Sequence, residues 1–236
     1  MITCKEIPNR QFTDKAALFS ALRENKNVLI AQKKMATKEA DSVVCMPFIS
    51  IEKDNAIKAE PVDISTVNLL KMQLIINTTN IMDSHSDVHI NGIWGKSAKE
   101  KKDIYLLQEH QMKFDKIITD KIKASVVTMS WAELGYTYPG STEALVFAAE
   151  VDNKRNPFMF EQYGKGYVKN HSVGMRYVNM ELCLNSESKW DIEEKENWDK
   201  YIGNVANKSE AEDQGYFWAV TEAKIIEGSA VPVGSN

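Results

Sequence analysis

Residues 156–180 constrain the fold most strongly, because they carry the signals for a short helix followed by a long strand. Asn156 is a residue type that caps helix N-termini, Pro157 suits the first turn, and Gly164 suits a helix end. We therefore predict a helix from about Pro157 to Tyr163. After it, the side chains alternate with a period of two. This alternation places Ser172, Gly174, Arg176, Val178 and Met180 on one face, and His171, Val173, Met175 and Tyr177 on the other.

Length and charge exclude several classes of protein. The chain has 236 residues, of which 43% are hydrophobic, and this is enough for a sizeable core and one or two domains. The formal net charge is −4 and no dense basic run occurs, which argues against a nucleic-acid-binding role driven by phosphate contacts. No apolar run approaches the length of about 18 residues that spans a membrane, and no signal-peptide pattern is present. We expect a globular protein that stays in the cytoplasm and does not bind membranes.

The cysteine pattern favours buried thiols. Cys4, Cys45 and Cys183 are odd in number, widely separated and free of C-x-x-C spacing. This arrangement argues against a disulfide framework and against a structural zinc site.

Elsewhere the sequence predicts strands separated by short helices. Thr13 or Asp14 can cap a helix that ends near Asn25, and a second, amphipathic helix carries Trp198, Tyr201, Ile202 and Val205. Gly92 to Gly95 predict a turn. The predicted strands are Val28–Ala31, parts of Val43–Ile51, Lys71–Asn77, Ile104–His110, Glu143–Val151 and Trp218–Pro232. The expected class is therefore α/β or α+β, with a largely antiparallel β content.

Ser172 is a candidate nucleophile. A serine becomes reactive when a histidine accepts its proton and a carboxylate orients that histidine. Of the four histidines, His110 ends an apolar strand and shares a face with Ile104 and Leu106, which would aim it inward. His171 adjoins Ser172 but points away from it if the strand is regular.

Glu227 is the candidate orienting carboxylate. In the last predicted strand, alternation places it on an apolar face with Ala223, Ile225 and Ser229. A carboxylate on such a face is costly unless it is paired or hydrogen-bonded. Glu222 shares the opposite face with Lys224 and is more simply a solvated partner of that lysine.

Two other sets of residues offer competing chemistry. Asp83, His85, Asp87 and His89 lie at two-residue spacing, and an extended backbone would place them on one face as ligands of a divalent metal. Polar loops also collect such residues by chance, so a metal site is the minority interpretation. Glu109 and Glu133 are further carboxylates, but nothing in the sequence aims either at a histidine, and both are interpreted as surface groups.

The order of these residues resembles the prohead proteases of tailed phages, which share their fold with the capsid maturation proteases of herpesviruses. In that family a histidine follows an apolar strand, as His110 follows Tyr105 to Glu109. The nucleophile precedes Ile or Val, then Gly, then Phe or Met, as Ser172 precedes Val173, Gly174 and Met175. A late E-x-S-x-V-x-x-x-x-N strand resembles Glu227 to Asn236.

The resemblance covers residues 88–236 and includes the glycine-and-aromatic segment from Val88 to Gly95. Two features depart from the family pattern. A helical insertion at Trp190 to Gly215 lengthens the stretch between Ser172 and Glu227, and the final Pro-Ala-Asn of the family is replaced here by Gly234, Ser235 and Asn236.

The resemblance implies a small, mostly antiparallel β-barrel with surrounding helices, as in herpesvirus proteases. It also implies a protease domain at residues 81–236, with residues 1–80 as an N-terminal region of uncertain role packed onto it. The implied activity is a serine endopeptidase that cleaves scaffold and major capsid proteins, and itself, inside the prohead in the host cytoplasm. No cofactor is expected, and a homodimer is plausible by analogy with the herpesvirus enzymes.

In this interpretation Ser172 attacks the peptide carbonyl, His110 acts as base and then acid, and Glu227 holds the imidazole. Main-chain N–H groups around Val173 and Gly174, assisted by Arg176, are predicted to stabilise the oxyanion. Two alternatives stay open. One is a non-catalytic capsid assembly or scaffold module that retains the protease fold. The other is a metal-dependent hydrolase that uses His85 and His89.

Overall fold

The structure is a computed structural model that describes residues 1–41, 47–49, 64–101 and 103–232. Within them the chain is a mixture of helices and strands, so the α+β class is confirmed. The helices are α1 (Lys15–Glu24), α2 (Lys26–Met35), α3 (Gly95–Glu100), α4 (Pro157–Gly164), α5 (Ile192–Tyr201) and α6 (Lys208–Gln214), with 3-10 turns at Phe114–Lys116 and Ile202–Asn204. None of the helices in the described ranges is both long and apolar enough to cross a bilayer.

The strands of the described residues form two sheets. They are β1 (Lys38–Asp41), β2 (Pro47–Ile49), β3 (Leu69–Thr78), β4 (Asp87–His89), β5 (Leu106–Gln108), β6 (Ile117–Thr119), β7 (Ile122–Ser130), β8 (Ser141–Asp152), β9 (Asn170–Leu184) and β10 (Tyr216–Val231). One sheet has the order β1-β9-β10-β5-β6, with β4 also paired to β10, and the other has the order β2-β3-β8-β7. Neither order returns to its first strand within the described residues, so the barrel stays a prediction.

Several predicted elements match the structure closely. Asp14 caps α1 by accepting the Ala17 N–H at 2.8 Å, and Asn156 caps α4 by accepting the Met159 N–H at 3.0 Å. The strands predicted at Lys71–Asn77, Glu143–Val151 and Trp218–Pro232 correspond to β3, β8 and β10. The prediction over Val43–Ile51 lies outside the described residues except for Pro47–Ile49, which is β2.

The strand predicted at Val28–Ala31 is wrong, because these residues lie in helix α2. Asn25 is the C-cap of α1, and its carbonyl already accepts the Leu29 N–H at 2.9 Å. Helix α2 therefore starts immediately after α1. The buried residues of α2 are Leu29 and Lys33, which are one helical turn apart. An apolar run of only four residues fits a strand and a buried helix turn equally well.

The amphipathic helix predicted around Trp198 is shorter than its apolar spacing implied. Helix α5 ends at Tyr201, and the chain then forms a 3-10 turn before α6. Trp198, Tyr201 and Val205 are nevertheless buried as predicted. The insertion from Trp190 to Gly215 is therefore largely helical.

The chain divides into two compact units. The first comprises residues 1–37, 79–93 and 176–223. Its hydrophobic core consists of Val88, Cys183, Trp198, Tyr201, Val205, Ala211, Phe217 and Ala219.

The second unit comprises the described residues within 38–78, 94–175 and 224–236. Its β2-β3-β8-β7 sheet is antiparallel throughout and packs against β10 at Gly228. A Cβ atom at Gly228 would lie 2.6 Å from Phe147 Cε2 and 3.3 Å from Ile76 Cγ2, so the glycine permits this close approach. All three predicted triad residues, His110, Ser172 and Glu227, belong to the second unit.

Candidate active site

His110 lies in a turn directly after β5. The predicted strand Ile104–His110 is shorter than expected, because β5 ends at Gln108 and the next two residues turn. Glu109 and His110 both have left-handed backbone conformations, with φ angles of 50° and 57°. Such conformations cost about 1–3 kcal/mol each in residues other than glycine, and they persist where surrounding contacts enforce them.

Hydrogen bonds from β10 hold this turn. The Glu109 N–H donates to the Ala230 carbonyl at 3.0 Å, and the His110 N–H donates to Ser229 Oγ at 3.1 Å. Strand β5 pairs in parallel with β10, with Leu107 opposite Ser229. The turn therefore presents the His110 side chain over β10, and that side chain is 14% exposed.

Glu227 and His110 are brought together by this arrangement. The His110 Nδ1 lies 2.6 Å from Glu227 Oε1, and the Glu227 side chain is 5% exposed. An ionised carboxylate only accepts hydrogen bonds, so the shared proton belongs to Nδ1. In a neutral imidazole the other nitrogen, Nε2, then carries no proton and is the basic atom. This is the tautomer that a serine hydrolase requires of its histidine.

Ser229 connects the same two residues by a second route. Its hydroxyl donates to Glu227 Oε2 at 2.6 Å, while its Oγ accepts the His110 main-chain N–H at 3.1 Å. Ser229 is fully buried, at 0% exposure. Both carboxylate oxygens of Glu227 therefore have a fixed hydrogen-bond partner. The sequence contained a signal for Ser229, because it lies two residues after Glu227 on the same strand face, but no role was predicted for it.

Ser172 and Gly174 lie on β9, which neighbours β10 in the sheet. A Cβ atom built at Gly174 would lie 2.1 Å from Glu227 Oε1, so the face of β9 that carries Gly174 points at this carboxylate. Alternate residues of a strand share a face, so the Ser172 side chain lies on the same face as Gly174. The two positions are about 6.7 Å apart along the strand. Ser172 is itself fully buried.

The spacing between Ser172 and Gly174 suits a hydrogen-bonded relay. A carboxylate, an imidazole and a serine hydroxyl are joined by two hydrogen bonds of about 2.6–3.2 Å with one ring between them. The two-residue step of about 6.7 Å is of the same size. Gly174 leaves the space for the carboxylate, and Ser172 is placed one step further along the strand.

The residues predicted to bind the oxyanion have other constraints. Val173 and Gly174 are in register with Ala40 and Glu39 of β1, and β9 neighbours β10 on its other side. Successive N–H groups of a strand point alternately toward the two neighbouring strands, in the plane of the sheet. To bind an oxyanion, the N–H group of Val173 or Gly174 would have to point out of the plane of the sheet instead of toward a neighbouring strand. Their role therefore stays a prediction. Arg176 is exposed, and its role likewise stays a prediction.

His171 faces away from the candidate site, as the strand alternation predicts. Its Nε2 lies 2.9 Å from the hydroxyl of Tyr163 in α4, and the two rings stack with centroids 5.9 Å apart. Complete burial lowers the pKa of His171 to about 3, because the charged imidazolium loses its hydration. His171 is therefore neutral near pH 7 and serves as a core residue.

Of the proposed metal ligands Asp83, His85, Asp87 and His89, the side chains of Asp83, Asp87 and His89 contact other protein groups. Asp83 Oδ1 accepts the main-chain N–H groups of His85 and Asp87 at 2.8 and 2.9 Å, which closes a turn. Asp87 pairs with Lys33. His89 is buried with Nε2 3.3 Å from the hydroxyl of Tyr177, and burial lowers its pKa to about 4. Within the described ranges, no group of three or more His, Cys, Asp or Glu side chains is arranged to hold a metal ion.

The other candidate carboxylates are surface groups, as expected. Glu109 and Glu133 are exposed. Glu133 accepts hydrogen bonds from the N–H and the hydroxyl of Ser130, which lower its pKa. Glu222 accepts a hydrogen bond from Asn179 Nδ2 at 3.0 Å.

Comparisons of the chain with protein-family models, with curated proteins and with solved structures found no significant match. A functional assignment therefore rests on the side-chain geometry and on the sequence motifs.

Proposed function

We propose that this chain is a serine endopeptidase of the prohead protease type, with Ser172, His110 and Glu227 as its triad. The observation that carries the proposal is the 2.6 Å hydrogen bond between His110 Nδ1 and Glu227 Oε1, next to Gly174 on the strand face of Ser172. A histidine held by a buried carboxylate activates a serine hydroxyl that lies within hydrogen-bond reach of its second ring nitrogen.

The reaction follows from the roles of these groups. Ser172 Oγ attacks the scissile carbonyl carbon while His110 Nε2 takes the hydroxyl proton, giving a tetrahedral oxyanion and an imidazolium. Glu227 balances the imidazolium charge through Nδ1. The imidazolium then protonates the leaving amine as the C–N bond breaks, and a water molecule hydrolyses the acyl-enzyme by the same steps. No cofactor takes part.

The oxyanion requires hydrogen-bond donors, each of which is typically worth about 3 kcal/mol of transition-state stabilisation. The proposed donors are the main-chain N–H groups around Val173 and Gly174, assisted by Arg176. Because both residues lie inside β9, their N–H groups would have to turn away from the neighbouring strands to reach the oxyanion.

The resemblance extends the proposal to substrates and fold. The substrates would be the scaffold protein and the major capsid protein inside the prohead, with self-cleavage as a second activity. A homodimer and a herpesvirus-protease-like barrel belong to the same proposal. Nucleic acid and membranes are not proposed partners.

The test is labelling by a serine-directed phosphonate combined with co-expression with a neighbouring capsid gene. We expect a covalent adduct on Ser172 and shortening of the capsid protein, and neither with Ser172→Ala. Absence of both under assembly conditions would favour the non-catalytic assembly module. Activity that survives Ser172→Ala but is lost with a chelator would favour a metal-dependent hydrolase.

A further inference from the structure

We propose that Ser229 is a positioning residue that fixes both the His110 main chain and the Glu227 carboxylate in the catalytic geometry. This inference rests on the proposed function for its kinetic consequence. Its structural consequence, the tautomer and ordering of His110, does not depend on activity.

The hydrogen bonds of Ser229 have a defined direction. A hydroxyl has one proton, and the acceptor for that proton is Glu227 Oε2 at 2.6 Å. The lone pairs of Oγ then accept the His110 N–H at 3.1 Å. Ser229 thus links the base to its carboxylate through the main chain, in parallel with the direct bond between Nδ1 and Oε1.

Two motions are restrained by these bonds. The carboxylate of Glu227 can rotate about its terminal bond, and the bond from Ser229 to Oε2 holds it so that Oε1 faces His110. The turn at Glu109 and His110 has two consecutive left-handed residues, and the Ser229 hydroxyl is one of the groups that hold it. Without the hydroxyl, both the carboxylate and the turn would gain alternative conformations.

Ser97 provides a matched control. Its hydroxyl oxygen accepts the N–H of Ile225 on the same strand, β10, at 2.9 Å, and Ser97 is also buried. It therefore has a comparable structural role at β10, and its hydrogen bond involves neither His110 nor Glu227. Removal of either hydroxyl is expected to lower stability, but only the loss at Ser229 should affect the imidazole.

The experiment compares Ser229→Ala, Ser229→Thr and Ser97→Ala in the full chain. The 15N and 1H NMR signals of His110 report which nitrogen carries the proton, and the Ser172 labelling rate and the kcat and KM for a capsid peptide report the chemistry. For Ser229→Ala we expect a broadened or lost Nδ1 proton signal and a fall in kcat of about 10- to 100-fold with little change in KM. Ser229→Thr, which keeps the hydroxyl, should restore the signal, and Ser97→Ala should leave it unchanged.

A wild-type His110 signal in folded Ser229→Ala would overturn the inference, as would equal effects of Ser229→Ala and Ser97→Ala on that signal. If Ser229→Ala does not fold, Ser229→Cys is measured in its place, because a thiol nearly preserves the volume but is a weak donor. A His110 signal that depends on Ser229 in a protein without any hydrolytic activity would support the positioning role and refute the proposed function.

Discussion

Gly174→Ala should distort the candidate site through one steric clash, between the added Cβ atom and the Glu227 carboxylate. The added Cβ would lie 2.1 Å from Glu227 Oε1, 2.9 Å from Cδ and 3.1 Å from Cγ. An unstrained contact needs about 3.5 Å, so the carboxylate has to move by more than about 1 Å. The carboxylate accepts hydrogen bonds from His110 Nδ1 and from the Ser229 hydroxyl, each 2.6 Å long, and both would be stretched toward or beyond the limit of about 3.5 Å.

The expected cost follows from this displacement. A shift of about 1 Å in a catalytic group lowers turnover by about 100-fold, and an overpacked site loses about 1–3 kcal/mol of stability. The assays are the Ser172 labelling rate, cleavage of a capsid peptide and urea unfolding. Gly95→Ala is the control, because a Cβ at Gly95 meets no atom within 4 Å, and it should be neutral or slightly stabilising.

A double-mutant cycle tests whether the collision is the cause. Glu227→Asp shortens the acidic side chain by one methylene and withdraws the atoms that meet the new Cβ. Gly174→Ala should therefore cost less in the Glu227→Asp background than in the wild type. Equal costs in the two backgrounds, within about 0.3–0.5 kcal/mol, would refute the reasoning, and so would wild-type turnover of Gly174→Ala.

Four further outcomes are expected. Ser172→Ala and His110→Ala should each abolish cleavage, by up to about 10⁶-fold and to a similar extent, because triad members act as a unit; substantial cleavage by either folded variant would contradict the triad. Glu227→Gln should lower turnover by up to about 10⁴-fold, less than Ser172→Ala, because the amide favours the wrong tautomer. The His171 pKa of about 3 lies below its ordinary value of 6.5, so below pH 6.5 the unfolded state binds a proton that the folded state does not. As the pH is lowered from 6.5 to 3, this residue should therefore lower the free energy of unfolding by about 1.4 kcal/mol per pH unit. The free energy of unfolding of His171→Gln, measured at pH 7, 6 and 5, should depend less steeply on pH than that of the wild type. His85→Ala and added chelator should leave cleavage unchanged, and loss of activity in either case would revive the metal-dependent alternative.

Part of the site was accessible from sequence because strands have a period of two. Glu227 stood on an apolar face next to Ser229, and the structure finds both residues buried on that strand. Ser172 and Gly174 shared a predicted face for the same reason, and His171 was correctly directed away. In each of these cases the local period decides which way a side chain points.

The conformation of His110 was not accessible in this way. The apolar run before it predicted a strand through His110, whereas the chain turns at Glu109 with two positive φ angles. Neither residue is a glycine, so no local signal marks the turn. Its stabilisation comes from Ser229 and Ala230, which are more than a hundred residues away along the chain. The helix at Val28 to Ala31 was missed for the related reason that a short apolar run does not reveal its period.

Two short spacings on neighbouring strands account for most of the candidate site. On β9, Ser172 supplies a hydroxyl, and the missing side chain of Gly174 leaves space for a carboxylate. On β10, Glu227 supplies that carboxylate and Ser229 donates a hydrogen bond to it. Gly174 has to lie opposite the Glu227 carboxylate, because the Cβ atom of any larger residue at position 174 would overlap with Oε1. Each strand therefore constrains the other: a glycine two residues after the serine is required only if an acid lies across from it. This mutual requirement explains in physical terms why loose motifs on separate strands become informative when they occur together, and it leaves His110 as the one component that a distant turn has to provide.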